Sequence, residues 1–397
     1  MISDQIAKRD KNRYELLRLL QRQGPQRRGE LSKISGVRIS SVINLAEELI
    51  AEGILELEEK DRPRSALKFT SGRWFAAVGA VAADRIEFAR VGLDGCVACH
   101  SRVSIGPEIS AEAIQVALRK GLATIRASGS GRLLGMGVAL SGIVDTDQGL
   151  WHSAIHFPNV HQVSLAAHLN HVLDCPVLIE NDVRASLRGA LWFEPHLATL
   201  RNVVYLSLCS GIGSALLVDG KLYKGAHFWA GEMGHMLAGN EGRECCCGKM
   251  DCLETYCSLP ALAADLIRVM PALGSNPSPR DIADAILKNP VAANVADRAM
   301  AKLGRQIGTL AAYVDPDALL LGEQEQALYE ALLPSLRHHI QSEFQGRGTV
   351  DLPITLVKSP EHAPLRGIAA MVIDEAFKNT LSRRIVDQGI DSYRRET

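Results

Sequence analysis

The chain has 397 residues, with 44 Lys/Arg against 45 Asp/Glu and 47% hydrophobic residues. That length predicts two or three domains with sizeable cores, and no stretch approaches the roughly 20 apolar residues that span a bilayer. Lys8, Arg9, Lys11 and Arg13 precede an amphipathic pattern rather than an apolar run, so no export signal is expected and a cytoplasmic, reducing location follows. There the nine cysteines read as metal ligands and core thiols rather than disulfides. Charge is uneven: residues 1–45 carry ten Lys/Arg and four Asp/Glu. A basic leading segment on an acidic body suggests contact with a polyanion, the alternative being a solvated helix surface.

Tyr14, Leu16, Leu17, Leu19 and Leu20 form the apolar stripe of a first helix, stopped by Gly24-Pro25. Residues 28–35 read as a short second helix, Gly36 as a tight turn, and 39–52 as a third helix with Val42, Leu45, Ala46, Leu49 and Ile50 on one face. This is the helix-turn-helix pattern. Ser40, Ser41 and Asn44 would face bases from the third helix, since hydroxyls and amides hydrogen-bond base edges. Arg27, Arg28, Lys33 and Arg38 would lie near phosphates. Ile54–Leu57 and Ala66–Phe69 read as two short strands of a β-wing, with Arg62 and Arg64 at its tip and suited to a minor groove. A three-helix protein-interaction module is the alternative.

From Trp74 strands and helices alternate. Strands are expected at 75–81, 85–92 and 96–105, a helix at 109–127, a strand at 133–140, a helix at 165–173, and a strand at 177–179 that runs into Glu180-Asn-Asp182. Asn and Asp at a strand's carboxyl end, beside a helix start, sit where α/β ligand sites form. Strands at 203–208 and 214–218 flank Cys209-Ser-Gly-Ile-Gly213, a hairpin follows at Asp219-Gly220, and another strand is expected at 319–321. The second half repeats the logic of the first, which implies two lobes and a cleft. Cys96-Val-Ala-Cys99-His100 matches the pattern for covalent haem attachment, but it falls on an expected strand in a chain without an export signal. These thiols are expected in the core.

Residues 231–254 hold one histidine, four cysteines and four glutamates. Cys245, Cys247 and Cys252, with a Gly-containing turn between the last two, can converge on one tetrahedral ion, with His235 as the fourth ligand. That is a closed Cys3His structural zinc set; inert buried thiols are the alternative. Glu232 and Glu254 bracket it and are not needed as its ligands.

Taken together, Gly231-Glu-Met-Gly-His235, Cys-x-Cys-Gly-x-x-x-Cys-Leu-Glu254, Ser210-Gly-Ile-Gly213, Asp219–Gly225 and Glu180-Asn-Asp182 resemble, in order and spacing, the ROK family of repressors, open reading frames and sugar kinases. The resemblance covers residues 74–375, and the helix-turn-helix ahead of it is similar to the repressor branch. It implies an α/β chain: a winged helix-turn-helix (1–72), then a two-lobed actin/hexokinase-like, ribonuclease H-like body. Its lobes would be 73–190, joined by a C-terminal helix 376–397, and 191–375 with the zinc site and a dimerisation surface. The resemblance further implies structural zinc on His235, Cys245, Cys247 and Cys252, with Cys246 pointing away. Sugar hydroxyls would be bound by Glu232, Glu254, Asn181 and Asp182, with His235, Gly142 and Asn159 also on the sugar side. In the family's kinases the aspartate of the Asn-Asp pair is the catalytic base.

Departures bear on function. The kinases' Asp-x-Gly-Gly-Thr phosphate loop is replaced by Val78-Gly-Ala-Val-Ala-Ala-Asp84, with Val81 at the aspartate's position and no Gly-Gly-Thr; Leu321-Gly-Glu-Gln-Glu325 replaces a Gly-rich turn near the adenosine. Family members often place Ser at the N-cap of the reading helix and Arg further along, where this chain has Arg38 and Asn44. The expectation is a sugar-responsive, homodimeric or homotetrameric repressor of carbohydrate genes that binds double-stranded DNA, without catalysis or membrane contact. The alternatives are an active ATP-dependent sugar kinase with a fused DNA-binding domain, and a constitutive DNA-binding protein whose body only dimerises.

Overall fold

The computed structural model describes residues 2–378 apart from 60, 61, 63, 107, 323–325, 346–351 and 358–361. The chain divides into two compact units: one from residues up to Ser153, Phe157–Thr199 and Pro364 onward, the other from Leu200–Ala363 with Ala154–His156.

The first unit opens with α1 (Ile2–Gln23), α2 (Arg28–Ser35) and α3 (Ile39–Ala51), then the antiparallel pair β1 (Leu55–Leu57) and β2 (Leu67–Phe69). Leu16, Leu17 and Leu20 of α1 are buried against Leu31 of α2 and Val42, Leu45 and Leu49 of α3. Gly36 between α2 and α3 has φ +68°, a left-handed conformation that favours glycine. Arg13 Nη1 donates to Glu52 Oε1 at 2.8 Å, tying α1 to the end of α3. Thr70 Oγ1 donates to the Gly53 carbonyl at 2.7 Å, tying the wing to the same point. The helix-turn-helix and its wing therefore form as read.

The same unit continues with β3 (Trp74–Val81), β4 (Arg85–Gly92), β5 (Val97–Ser104), α4 (Ala111–Ala127), β6 (Arg132–Leu140), β7 (Ile143–Asp145), β8 (Leu150–Ala154), β9 (Phe157–Val163), α5 (Leu165–Leu173), β10 (Val177–Asn181) and α6 (Asp182–Phe193). Its main sheet has the order β10-β6-β3-β4-β5. β3, β4 and β5 are antiparallel neighbours, whereas β6 and β10 join in parallel. Strands β7–β9 make a separate small sheet, which the sequence reading missed: β7 is only three residues long, too short for alternation to show. Cys96 and Cys99 are exposed rather than in the core, because β5 is an edge strand whose residues are almost all exposed.

The second unit contains β11 (Val203–Leu208), β12 (Ile212–Val218), β13 (Lys221–Tyr223), α7 (Glu254–Cys257), α8 (Leu259–Val269), α9 (Pro279–Lys288), α10 (Pro290–Val314), β14 (Ala318–Gly322), α11 (Gln326–Glu343) and β15 (Ile354–Leu356). Its sheet runs β13-β12-β11-β14-β15, again with three antiparallel strands followed by two parallel ones. Numbered within each unit, both sheets have the order 3-2-1-4-5. That shared topology is the duplication expected of an actin/hexokinase-like body.

The chain then returns to the first unit as α12 (Ala363–Lys378). Of the helix expected at 376–397, only 376–378 lie among the described residues, where they end α12. α12 is continuous with the helix-turn-helix core: Phe377 stacks on Phe69 of the wing at 5.8 Å and lies 6.1 Å from Trp192 of α6. Arg18 of α1 covers Trp192 at 4.0 Å, and the Tyr14 hydroxyl donates to Asp374 at 2.9 Å. Burial and then the Asp374 charge push the Tyr14 phenol up to about 12. α12 crosses α6 glycine to glycine: a Cβ on Gly189 would meet Gly367 Cα at 2.9 Å, and one on Gly367 would meet the Ala185 carbonyl oxygen at 1.9 Å. Gly367→Ala is expected to cost about 2–4 kcal/mol, because backbone rather than a side chain stands in the way; urea unfolding followed at the Trp192 fluorescence would measure it.

Glu87 of β4 accepts from Arg85 at 2.6 Å and lies 3.0 Å from His100 and 3.2 Å from Arg102 on β5. Burial alone would raise its pKa, but these hydrogen bonds and charges win and hold it at about 2 against an ordinary 4.5. A lowered folded value means that the unfolded chain binds the proton more readily. The stabilisation is therefore whole above about pH 4.5 and is lost as pH falls through about 2. Discounted for the solvent around Arg85 and Arg102, it amounts to about 1–2 kcal/mol. Thermal melts of wild type and Glu87→Gln across that window should converge at the acid end.

Candidate functional site

The metal-type cluster is set by two glycines. Gly231 has φ +102°, and a Cβ there would meet the Ser214 carbonyl oxygen at 2.1 Å. A Cβ on Gly234 would meet the Ile212 carbonyl oxygen at 2.2 Å. Only a glycine-bearing turn can thus press the helical turn Met233–His235 against β12. His235 Nδ1 then lies 3.6 Å from Cys245 Sγ, and Cys247 Sγ lies 3.6 Å from Cys252 Sγ. The ligand atoms of His235, Cys245, Cys247 and Cys252 all fall within 4.8 Å of one another. Three thiols and one imidazole at that spacing suit a tetrahedral soft-to-borderline ion. Burial and the neighbouring Cys247 and Cys245 thiols push the Cys252 thiol up to about 12; a bound cation would take these thiols as thiolates and release their protons. The other ring nitrogen of His235, Nε2, is 3.9 Å from Glu232 Oε2.

The loop is braced by a residue the sequence reading passed over. Asp251, at φ +58°, accepts from the backbone N–H groups of Glu241, Gly242 and Arg243 at 3.0–3.1 Å and from the Tyr256 hydroxyl. The Tyr256 bond, followed by that from Arg243, lowers its pKa. An Asp inside a Gly-x-x-Asp-Cys run was the available signal.

Glu254 opens α7. Its Oε2 accepts from the Ile212 N–H at 3.0 Å, and its Oε1 accepts from the Cys246 thiol at 3.4 Å. Cys246 lies outside the four-residue cluster and turns toward Glu254: flanked by two cysteines that turn into the cluster, it is left exposed and donates to this carboxylate. Burial, then the Glu254 charge, push its thiol up to about 12. A Cβ on Gly211 would meet Glu254 Oε2 at 2.5 Å, so a side chain there would displace this carboxylate. Glu254, Cys246 and Ser210 line a cavity of about 460 Å³.

In the first unit, the side chain of Asn181 caps α6 by accepting from Val183 and Arg184 N–H groups, each at 3.0 Å, and its amide donates to the Gly142 carbonyl at 2.9 Å. Two residues expected on the sugar side are thereby joined. Asp182, half-buried, accepts from the Val183 N–H at 2.9 Å. Asn159 is exposed on β9. Between β3 and β4, Ala82 N–H donates to the Arg85 carbonyl at 2.9 Å, and Asp84 pairs with Arg85 at 2.8 Å. Glu323, Gln324 and Glu325 lie outside the described residues.

On the helix-turn-helix, Arg38, Ser40 and Asn44 are exposed, while Ser41 and Arg28 are half-buried. Ile39 and Ile43 are 47% and 37% exposed on the same helix, a feature that periodicity alone did not flag because isoleucines are assigned to cores by default. Arg62 and Arg64 are exposed at the wing tip, and Arg62 pairs with Glu59 at 2.9 Å. Among the described residues no helix is long and apolar enough to cross a membrane.

A winged helix-turn-helix joined to a duplicated actin/hexokinase-like body with a Cys3His cluster defines a small class of proteins. The chain belongs to the ROK family, whose model matches residues 80–375. It is 25% identical over 387 residues to the xylose repressor of Bacillus spizizenii, covering 94% of this chain and 97% of that protein. The solved structure of a ROK family transcriptional regulator, a homologue of the E. coli MLC protein, superposes with a TM-score of 0.78 at 23% identity over 96% of this chain and 99% of that one. A ROK family glucokinase from Streptomyces griseus, solved with glucose and AMPPNP, matches at 0.65 and 22% identity over 75% of this chain and 98% of its own. The family thus includes both repressors and kinases.

Proposed function

We propose that this protein is a sugar-responsive transcriptional repressor. The observation that carries it is coverage: the likeness to a xylose repressor runs over 94% of the chain, whereas the glucokinase accounts for 75%. The family model likewise begins at residue 80, after the helix-turn-helix and its wing. A kinase has no need of that segment, and a DNA-binding regulator does.

In this reading Ser40, Ser41 and Asn44 contact base edges, joined by the exposed methyls of Ile39 and Ile43, which suit thymine. Arg28, Arg38, Arg62 and Arg64 contact the DNA backbone or minor groove. Zinc is held by His235, Cys245, Cys247 and Cys252 and clamps the loops that present Glu232 and Glu254. The effector is a sugar: Glu232, Glu254 and Asp182 accept from its hydroxyls, His235 Nε2 and the second amide hydrogen of Asn181 complete the set, and Gly142 and Asn159 flank it. The protein works as a homodimer or homotetramer, a dimer presenting two reading helices to half-sites about one DNA turn apart. Sugar binding favours a state with lower DNA affinity. Catalysis is not part of this reading, because the sequence after Val81, Ala82-Ala83-Asp84, lacks the Gly-Gly-Thr whose N–H groups hold phosphate in the kinases' motif.

DNA fragments selected from a genomic pool should be bound by the zinc-loaded protein and released by an aldose, D-xylose being the first to try. Failure to retain any fragment, or indifference to every sugar, would sink the proposal. ATP-dependent sugar phosphorylation abolished by Asp182→Asn would establish the kinase instead.

A further inference from the structure

We propose that the second unit carries an anion site, separate from the residues assigned to the sugar, that receives the phosphoryl group of a small molecule. A cavity of about 540 Å³ lies among α8, α10 and the loop leading into the cysteine cluster. Arg243, Arg268, Arg298, Lys302 and Arg305 line it, against the two carboxylates of Glu241 and Asp265, an excess of three positive charges. Glu232, His235 and Glu254 do not line it, and the adjoining cavity that Glu254 lines shares with it only Arg243, Asp265 and Arg268.

Both carboxylates are already shared. Asp265 pairs with Arg243 at 2.9 Å and with Arg268 at 3.2 Å. Glu241 pairs with Arg243 at 2.9 Å and with Lys302 at 3.4 Å. Arg298 makes no ion pair among the described residues, and Arg305 reaches Glu343 only at 3.9 Å. Arg298, Lys302 and Arg305 stand at i, i+4 and i+7, one face of α10, where like charges destabilise a helix. Lys302 and Arg243 also share one aromatic ring, at 4.1 and 4.3 Å from that of Tyr256. Repulsion maintained on one helix face and around one ring, inside a concavity, is relieved by a bound anion. Guanidinium forks match the several oxygens of a phosphoryl group. The cavity has the size of a small-molecule site, whereas a duplex needs an open stripe. This site does not depend on the repressor reading.

The test uses the full-length, zinc-loaded chain at constant ionic strength. Its melting temperature and calorimetric titration would be followed with inorganic phosphate, pyrophosphate, a pentose phosphate and the free pentose. A saturable rise with the phosphorylated ligands that chloride does not reproduce is expected. Equal binding of phosphate and pentose phosphate would identify a bare phosphoryl site; tighter binding of the pentose phosphate would add recognition of its sugar. Arg298→Ser combined with Arg305→Ser should weaken binding about tenfold or more per cation removed, and Arg280→Ser, an exposed cation on α9 outside the cavity, should not. Should the double variant melt abnormally without ligand, Arg298→Ser alone is the reading. Absence of a saturable shift, a shift equalled by chloride, or full binding in the Arg298 variants would overturn the proposal. So would loss of phosphate binding in Glu254→Gln, which would move the ligand to the sugar residues.

Discussion

Cys252→Ser is expected to lose stoichiometric metal and, with it, the response to sugar. Cys252 is 1% exposed, its Sγ faces Cys247 at 3.6 Å, and its chain neighbours pair across the loop through the Leu237–Cys252 bridge. Binding energies for closed structural zinc sites reach about 10–16 kcal/mol in small peptides, so on the proposed reading the ordering of this loop would rest heavily on the ion. The β11–β15 sheet has its own apolar core, and the damage should be concentrated between residues 231 and 254. Hydrogen exchange in that segment should rise steeply, with a smaller fall in global melting temperature. Metal content by elemental analysis and sugar-dependent release from DNA complete the measurement. A variant that is metal-free yet still leaves DNA normally when sugar is added would show that the cluster does not support the effector site.

Glu254→Gln addresses the effector contact without disturbing the clamp. The glutamine oxygen can still accept from the Ile212 N–H, which holds Glu254 at 3.0 Å, so the loop beside Gly211 should keep its shape. What disappears is the charge and, on the proposed reading, one acceptor for a sugar hydroxyl. A charge-assisted hydrogen bond contributes about 1.5–3 kcal/mol, so effector affinity should fall about tenfold to a hundredfold. DNA affinity without sugar should be unchanged. Unaltered sugar affinity would remove Glu254 from the effector site, and weakened DNA binding would give it a structural role instead.

Much of this was legible in the chain itself. The helix-turn-helix follows from leucine spacing and Gly36, and the Cys3His set from ligand chemistry at short separations. The position of Asn181-Asp182 follows from a strand that ends where a helix must be capped. These features are local, governed by backbone periodicity and by residues a few positions apart. The tertiary structure alone decided what depends on distant approach. Cys246 turns to Glu254 because its neighbours face the cluster, and Glu254 is held by Ile212, 42 residues away. Asn181, at the end of β10, reaches Gly142 just beyond the neighbouring strand β6. α12 returns to seal the wing through Phe377 and Phe69, and cations scattered from Arg243 to Arg305 gather around one cavity. No periodicity encodes such meetings, because they are set by how complete elements pack and by which polar groups burial leaves in need of partners.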